Sequence, residues 1–128
     1  MDKAAVDHWL KAYMKAWETN SPAAIGELFS DDATYSYHPY DEPVVGRQAI
    51  VDSWLKDQDA PGTFTANYEP IAIDGDVAVV NGRSTYFKDS SRRELTKEWD
   101  NLFVIQFDKD GRCRSFREWY VPRRGQSD

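Results

Sequence analysis

Apolar residues return every three or four positions in the first part of this chain and every second position in the rest. That change of period predicts helices first and strands after them. Val6, Trp9, Leu10, Tyr13, Met14 and Trp17 fall at helical spacing, with His8, Lys11, Lys15 and Glu18 on the other side. They predict a first helix of about four turns with one aromatic face. Thr19-Asn20 ends it. Ser21-Pro22 reads as an N-cap followed by a first-turn proline. A short second helix is therefore expected, with Ile25, Leu28 and Phe29 turned inward and Asp31-Asp32 closing it.

Thr34 to Tyr40 puts Tyr35 and Tyr37 on one parity and Ser36 and His38 on the other, as in a strand with one face lining something. Pro39 and Pro43 keep that strand short or at an edge. After Gly46, the positions Ile50, Val51, Trp54 and Leu55 predict a third helix that stops before Pro61-Gly62.

Strands follow. Thr63 to Ile73 is the first long one, and Asp74-Gly75 is a two-residue hairpin signal ahead of Asp76 to Phe87. Lys88 to Thr96 reads as a polar loop. Lys97 to Phe107 alternates Trp99, Asn101, Phe103, Ile105 and Phe107 against Glu98, Asp100, Leu102, Val104 and Gln106. Asp108 to Gly111 is a second hairpin turn, and Arg112 to Val121 the last strand. Residues 1–122 are expected to form one domain, with 123–128 a loose polar tail. The class is α+β: three N-terminal helices packed on a curved, mainly antiparallel sheet. In the strand Lys97 to Phe107 both parities carry apolar residues, as in a sheet covered on both faces. A homodimer through the convex sheet face is the expected cover.

Composition narrows the function. A net charge of -6 disfavours a phosphate-backbone binder, so no nucleic-acid partner is expected. Arg92-Arg93 and Arg123-Arg124 are too short to make a basic face. The single cysteine, Cys113, rules out an intrachain disulfide and a thiolate metal cluster, which suits a reducing cytoplasm. No apolar run approaches membrane length and none resembles a signal peptide. Aromatics at 14%, five of them tryptophans, require a large core or a ring-lined cavity.

The order of elements, with Leu28-Phe29-Ser-Asp-Asp-Ala-Thr34 and Gly46-Arg-Gln-Ala-Ile50, resembles the nuclear transport factor 2-like superfamily, nearest its SnoaL-like branch. The resemblance covers essentially the whole chain. It implies a cone-shaped fold whose interior, between helices and sheet, is the site. It does not imply one activity, because that scaffold carries isomerases, dehydratases, cyclases, epoxide hydrolases and non-catalytic binding modules.

Matching the ketosteroid isomerases of this superfamily puts their helix-one tyrosine on Tyr13, their base at Tyr37 or His38, and their late-strand acid near Phe103. One role of three survives, so that activity is not expected. Epoxide hydrolases of the limonene type need an Arg-x-Asp on one strand, which is absent, and scytalone dehydratases need two histidines where this chain offers His38 and the outward His8. Cyclases of the SnoaL type use an acidic base, and that option stays open.

The candidate catalytic groups are Tyr13, His38 and Glu118. Tyr13 is a pocket donor or a core tyrosine with a bonded hydroxyl. His38 is a general base suited to neutral pH or a mouth residue. Glu118 shares parity with Phe116 and Tyr120, the pocket side by the same matching. A carboxyl among rings has a raised pKa, as a general acid or base requires. The competing arrangement turns Trp119 and Cys113 inward and Glu118 out.

Trp9, Trp17, Tyr35, Tyr37, Trp54, Trp99, Asn101, Phe103, Phe116 and Tyr120 are expected to shape the ligand cavity. Asp41-Glu42 stand at its mouth, and with a single histidine beside them no metal or other cofactor is expected. The reading is a cofactor-free lyase, isomerase or cyclase for a hydrophobic small molecule. Its alternative is a non-catalytic ligand-binding or protein-interaction module.

Overall fold

A computed structural model describes residues 1–126. Its helices are α1 (Lys3–Thr19), α2 (Pro22–Glu27) and α3 (Arg47–Lys56). Its strands are β1 (Phe29–Ser36), β2 (Val44–Val45), β3 (Phe64–Asp74), β4 (Val77–Phe87), β5 (Leu95–Phe107) and β6 (Cys113–Pro122). They form one curved sheet in the order β2-β1-β6-β5-β4-β3, antiparallel throughout except for the β1–β6 pair.

Local chemistry sets the helix ends. Asp2 caps α1 by accepting the Ala5 N–H at 2.9 Å, and Asn20 closes it in the left-handed conformation (φ 53°), its N–H donating to Ala16 O at 2.8 Å. Ser21 caps α2 by accepting the Ala24 N–H at 3.2 Å, with Pro22 in the first turn. Val6, Trp9, Leu10, Tyr13, Ala16 and Trp17 are the buried face of α1. They pack on the concave side of the sheet, against Phe29, Phe64, Phe103, Phe107 and Phe116.

Two boundaries differ from the sequence reading, for reasons that lie outside the local sequence. The second helix does not run to Asp31-Asp32. It stops at Glu27, and β1 begins at Phe29 because the Leu28 carbonyl is taken by the Cys113 N–H of β6 at 2.8 Å. Asp31 instead pairs with Arg47 at 2.8 Å, tying β1 to the start of α3. The first strand ends at Ser36, not Tyr40, and its edge is covered by the unforeseen β2, with Thr34 and Tyr35 opposite Val45 and Val44.

The tail is docked as far as it is described. The Arg123 N–H donates to Glu98 O at 3.0 Å and Gln126 Oε1 accepts the Glu98 N–H at 2.6 Å, continuing the β6 side of β5 past Pro122. Residues 127 and 128 lie outside the described residues. On the convex face Val79, Leu102, Val104 and Trp119 stand half-buried, with Arg117 over the Trp119 ring at 5.4 Å. Among the described residues no helix is long and apolar enough to cross a membrane.

Candidate functional site

The concave side encloses a cavity of about 560 Å³ between α1, α3 and the sheet. Each wall comes from a different element. Tyr13 and Trp17, four residues apart on α1, lie one above the other on its buried face. Tyr35 and Tyr37 come from β1 and the residue just past its end, Ser53 and Trp54 from α3, Tyr68 from β3 and Tyr86 from β4. Trp99 and Asn101 share one parity of β5, and Glu118 projects from β6. His38, Asp41, Asp57, Gln58 and Asp59, from the segments after β1 and α3, complete it.

Gly82 makes room for one wall. A Cβ there would stand 1.9 Å from Asn67 O and 2.5 Å from the Tyr68 ring, so only glycine lets β3 and its tyrosine approach so closely.

Of the predicted lining, Tyr13, Trp17, Tyr35, Tyr37, His38, Trp54, Trp99, Asn101 and Glu118 are brought together around this space. Trp9, Phe103, Phe116 and Tyr120 are not among the residues lining it. Phe116 stacks on Tyr35 at 4.4 Å and on Tyr13 at 5.7 Å, and Phe103 lies 4.7 Å from Phe116, so these two phenylalanines back the wall. Trp9 is deeper, its Nε1–H spent on Leu28 O at 3.0 Å. Tyr120 stands behind the mouth, bonded to His38 and 4.4 Å from the Trp99 ring.

Tyr68 and Tyr86 were missed, although parity with Phe64 and Ser84 along their strands carried the signal. Asp57 and Asp59 follow a helix end and carry no pattern at all.

The parity question in the last strand is settled by a bulge. Phe107 faces Cys113 and Gln106 faces Ser115, so β6 holds one extra residue at Arg114. Cys113 and Phe116 are therefore both buried, and Glu118 follows Phe116 to the cavity side while Arg117 and Trp119 face the other way.

Glu118 is built into a polar chain. Ser84 Oγ donates to Asn101 Oδ1 at 2.8 Å, and Asn101 Nδ2 donates to Glu118 Oε2 at 2.8 Å. Ser84 and Asn101 are 1% and 2% exposed, so each needs its partner, and this chain supplies both. Glu118 Oε1 accepts no hydrogen bond from a described residue. Burial raises the Glu118 pKa to about 7, against smaller opposing pulls from the Asn101 hydrogen bond and the His38 charge.

The hydroxyls of Tyr13 and Tyr35 lie 3.2 Å apart, and burial holds both well above the usual tyrosine range. One hydrogen bond uses one of their two protons, so the pair retains an O–H to offer a ligand oxygen. Tyr37 shares a hydrogen bond with Ser53 at 3.1 Å. Trp99 Nε1–H is buried with no acceptor among the described residues. An unmet buried donor is a cost that a ligand acceptor removes.

At the mouth, His38 Nδ1 lies 2.7 Å from Asp41 Oδ2 and Nε2 lies 2.9 Å from the Tyr120 hydroxyl. The Asp41 carboxylate can only accept, so His38 Nδ1–H donates to it, and in that tautomer Nε2 accepts from the Tyr120 hydroxyl. His8 is remote from this site, on the outer side of α1. Among the described residues no three His, Cys, Asp or Glu side chains converge as metal ligands do.

Comparison with known proteins identifies the fold. Residues 10–116 match the SnoaL-like domain, and the chain belongs to that family. Two solved structures illustrate the likeness. An NTF-2 like protein of unknown function from Burkholderia xenovorans is 14% identical, with a TM-score of 0.70 over 97% of this chain and 88% of that one. An LEH-like epoxide hydrolase from M. tuberculosis is 14% identical, with a TM-score of 0.67 over 93% of this chain and 84% of that one. At that identity the likeness speaks for the fold alone. No curated protein matches the sequence.

Proposed function

We propose that this chain is a cofactor-free enzyme of the lyase, isomerase or cyclase kind, moving a proton on a hydrophobic carbonyl compound held in the cone. One observation carries the reading: a carboxyl group with a pKa near 7 stands among rings, one oxygen fixed by Asn101 and the other unbonded. Glu118 Oε1 takes a proton from the carbon next to the ligand carbonyl. The C–H electron pair moves into the new C=C bond, and the carbonyl oxygen becomes an enolate. The spare O–H of the Tyr13–Tyr35 pair donates to that oxygen. Protonated Glu118 then returns the proton to a second carbon, or a neighbouring hydroxide leaves and takes it as water.

A non-catalytic binding module calls for a wall of rings without convergent polar groups. The Ser84–Asn101–Glu118 chain and the tyrosine pair favour the enzyme.

The test uses 2-tetralone, an apolar ketone with acidic protons beside its carbonyl. Wild-type protein in D₂O should speed deuterium uptake at that carbon, with a rate that rises through about pH 7 as Glu118 deprotonates. Glu118→Gln should lose the acceleration while retaining binding. Equal exchange in the two proteins removes Glu118 from the mechanism.

For the convex sheet face we propose a second copy of this chain, because Val79, Leu102, Val104 and Trp119 are apolar and only half-buried there, with none of the helices among the described residues packed over them. Light scattering at micromolar concentration should give a dimer mass, and a strictly monomeric mass contradicts it.

A further inference from the structure

We infer that the molecule this cavity accepts is an organic cation, a protonated or quaternary amine carried on an apolar body. The inference rests on the proton-transfer reading for the placement of that body near Glu118, and adds what the mouth recognises. The lining holds the carboxyl groups of Asp41, Asp57, Asp59 and Glu118, and no lysine or arginine. Two of them are engaged within the chain: Asp41 with His38, and Asp59 as acceptor of the Trp17 Nε1–H at 2.9 Å.

Asp57 is different. It makes no hydrogen bond or ion pair to any described residue, and it caps the C-terminal end of α3. The carbonyls of that helix end carry partial negative charge beside the exposed Asp57 carboxylate, and Lys56 in the same turn makes no ion pair with Asp57, so a ligand cation is favoured there. The cavity feels these charges. Burial is the main reason that the Tyr37 and Tyr86 pKa values are raised, and the charges of Asp57 and Asp59 add to it respectively.

Rings supply the other half of such a site. An ammonium group is attracted to the faces of tryptophan and tyrosine, more strongly where water is excluded. The chain provides its own instance at the rim, where Lys97 Nζ lies 4.7 Å from the Tyr86 ring centre and 4.6 Å from that of Trp99. Trp17 and Trp54 offer further ring surface with no cation of a described residue over it. Inside, Glu118 adds a half-buried carboxyl whose Oε1 accepts no hydrogen bond from a described residue. Carboxylates, ring faces and the lack of a lining ammonium or guanidinium together select a positive ligand over a neutral or negative one.

Three probes of one shape separate charge from size: benzyltrimethylammonium, its carbon isostere neopentylbenzene, and the anion benzylsulfonate. Titrated into the full chain at low salt and followed by tryptophan fluorescence, the cation should bind about tenfold more tightly than the isostere, and the sulfonate should not register. Asp57→Asn, whose side chain holds nothing else in place, should lose several-fold of that advantage, as should added salt. Lys97→Gln should increase it. Equal affinity for the cation and its isostere, tighter binding of the sulfonate, or no binding of the cation at millimolar concentration overturns the inference. None of these results touches deuterium uptake on neutral 2-tetralone, so recognition and chemistry can fail separately.

Discussion

Trp9 and Trp99 put the same side chain at two ends of one cone, and their indole N–H groups have opposite fates. Trp9 lies at the closed end, its Nε1–H bonded to Leu28 O and its ring against Tyr13, Phe29, Phe107 and Phe116. Trp99 lies at the open end, packed on Tyr86 and Tyr120, with its Nε1–H buried and unmet. The closed end satisfies every polar atom its rings bring in, as a stable core must. At the open end the buried Trp99 donor meets no acceptor among the described residues, Glu118 Oε1 accepts no hydrogen bond from a described residue, and the tyrosine pair keeps a second hydroxyl proton. Aromatic content does not distinguish core from site here. What distinguishes them is the presence of polar groups that face the cavity.

The contrast can be broken by mutation. The largest effect belongs to the closed end: Phe116→Ala deletes a fully buried ring from a packed cluster and should cost about 3–5 kcal/mol in denaturant unfolding. A loss under about 1 kcal/mol would mean that this end collapses as readily as the open one.

Next comes Glu118, whose stability effect has the opposite sign. Its folded pKa, about 7, lies above its ordinary 4.5. The folded state therefore holds the proton more tightly than the unfolded one. Below about pH 4.5 the carboxyl is protonated in both states and costs nothing; through pH 4.5 to 7 the penalty grows, reaching about 3 kcal/mol above pH 7. Glu118→Gln should therefore raise the thermal midpoint at pH 8 and leave it unchanged near pH 4. A uniform shift at both pH values would show that packing, not charge, is what the variant alters.

The smallest effect is also the most direct comparison. Trp9→Phe removes one of the two hydrogen bonds at Leu28 O, the Cys113 N–H remaining, and should cost about 1 kcal/mol. Trp99→Phe removes an unmet donor and should stay within about 0.5 kcal/mol of wild type. Equal losses in chemical denaturation would erase the distinction between the two ends.

Much of this was legible along the chain. The period of Val6 to Trp17 gave α1 and its buried face, the Asp74-Gly75 and Asp108 to Gly111 turns placed the meander, and alternation grouped Asn101 with Phe103 while leaving the side of Glu118 open between two parities. Helix-then-meander order gave the α+β class, and that order with the Leu28 to Thr34 and Gly46 to Ile50 motifs carried the resemblance to the SnoaL-like family, which residues 10–116 match. Periodicity works there because it reports which face of an element is buried, a property each element carries by itself.

It could not tell a ring that floors the cavity from one that lines it. Phe116 and Glu118 share a parity, as do Trp9 and Tyr13 a helix face, yet only the second of each pair reaches the space. That outcome depends on what stands opposite each side chain: Tyr35 on Phe116, the Leu28 carbonyl on Trp9. The early end of α2 was set the same way, by the Cys113 N–H arriving from 85 residues away at the Leu28 carbonyl. Local sequence fixes faces and periods. Partners across the fold decide which polar groups on those faces are used up in the core and which are left facing the cavity.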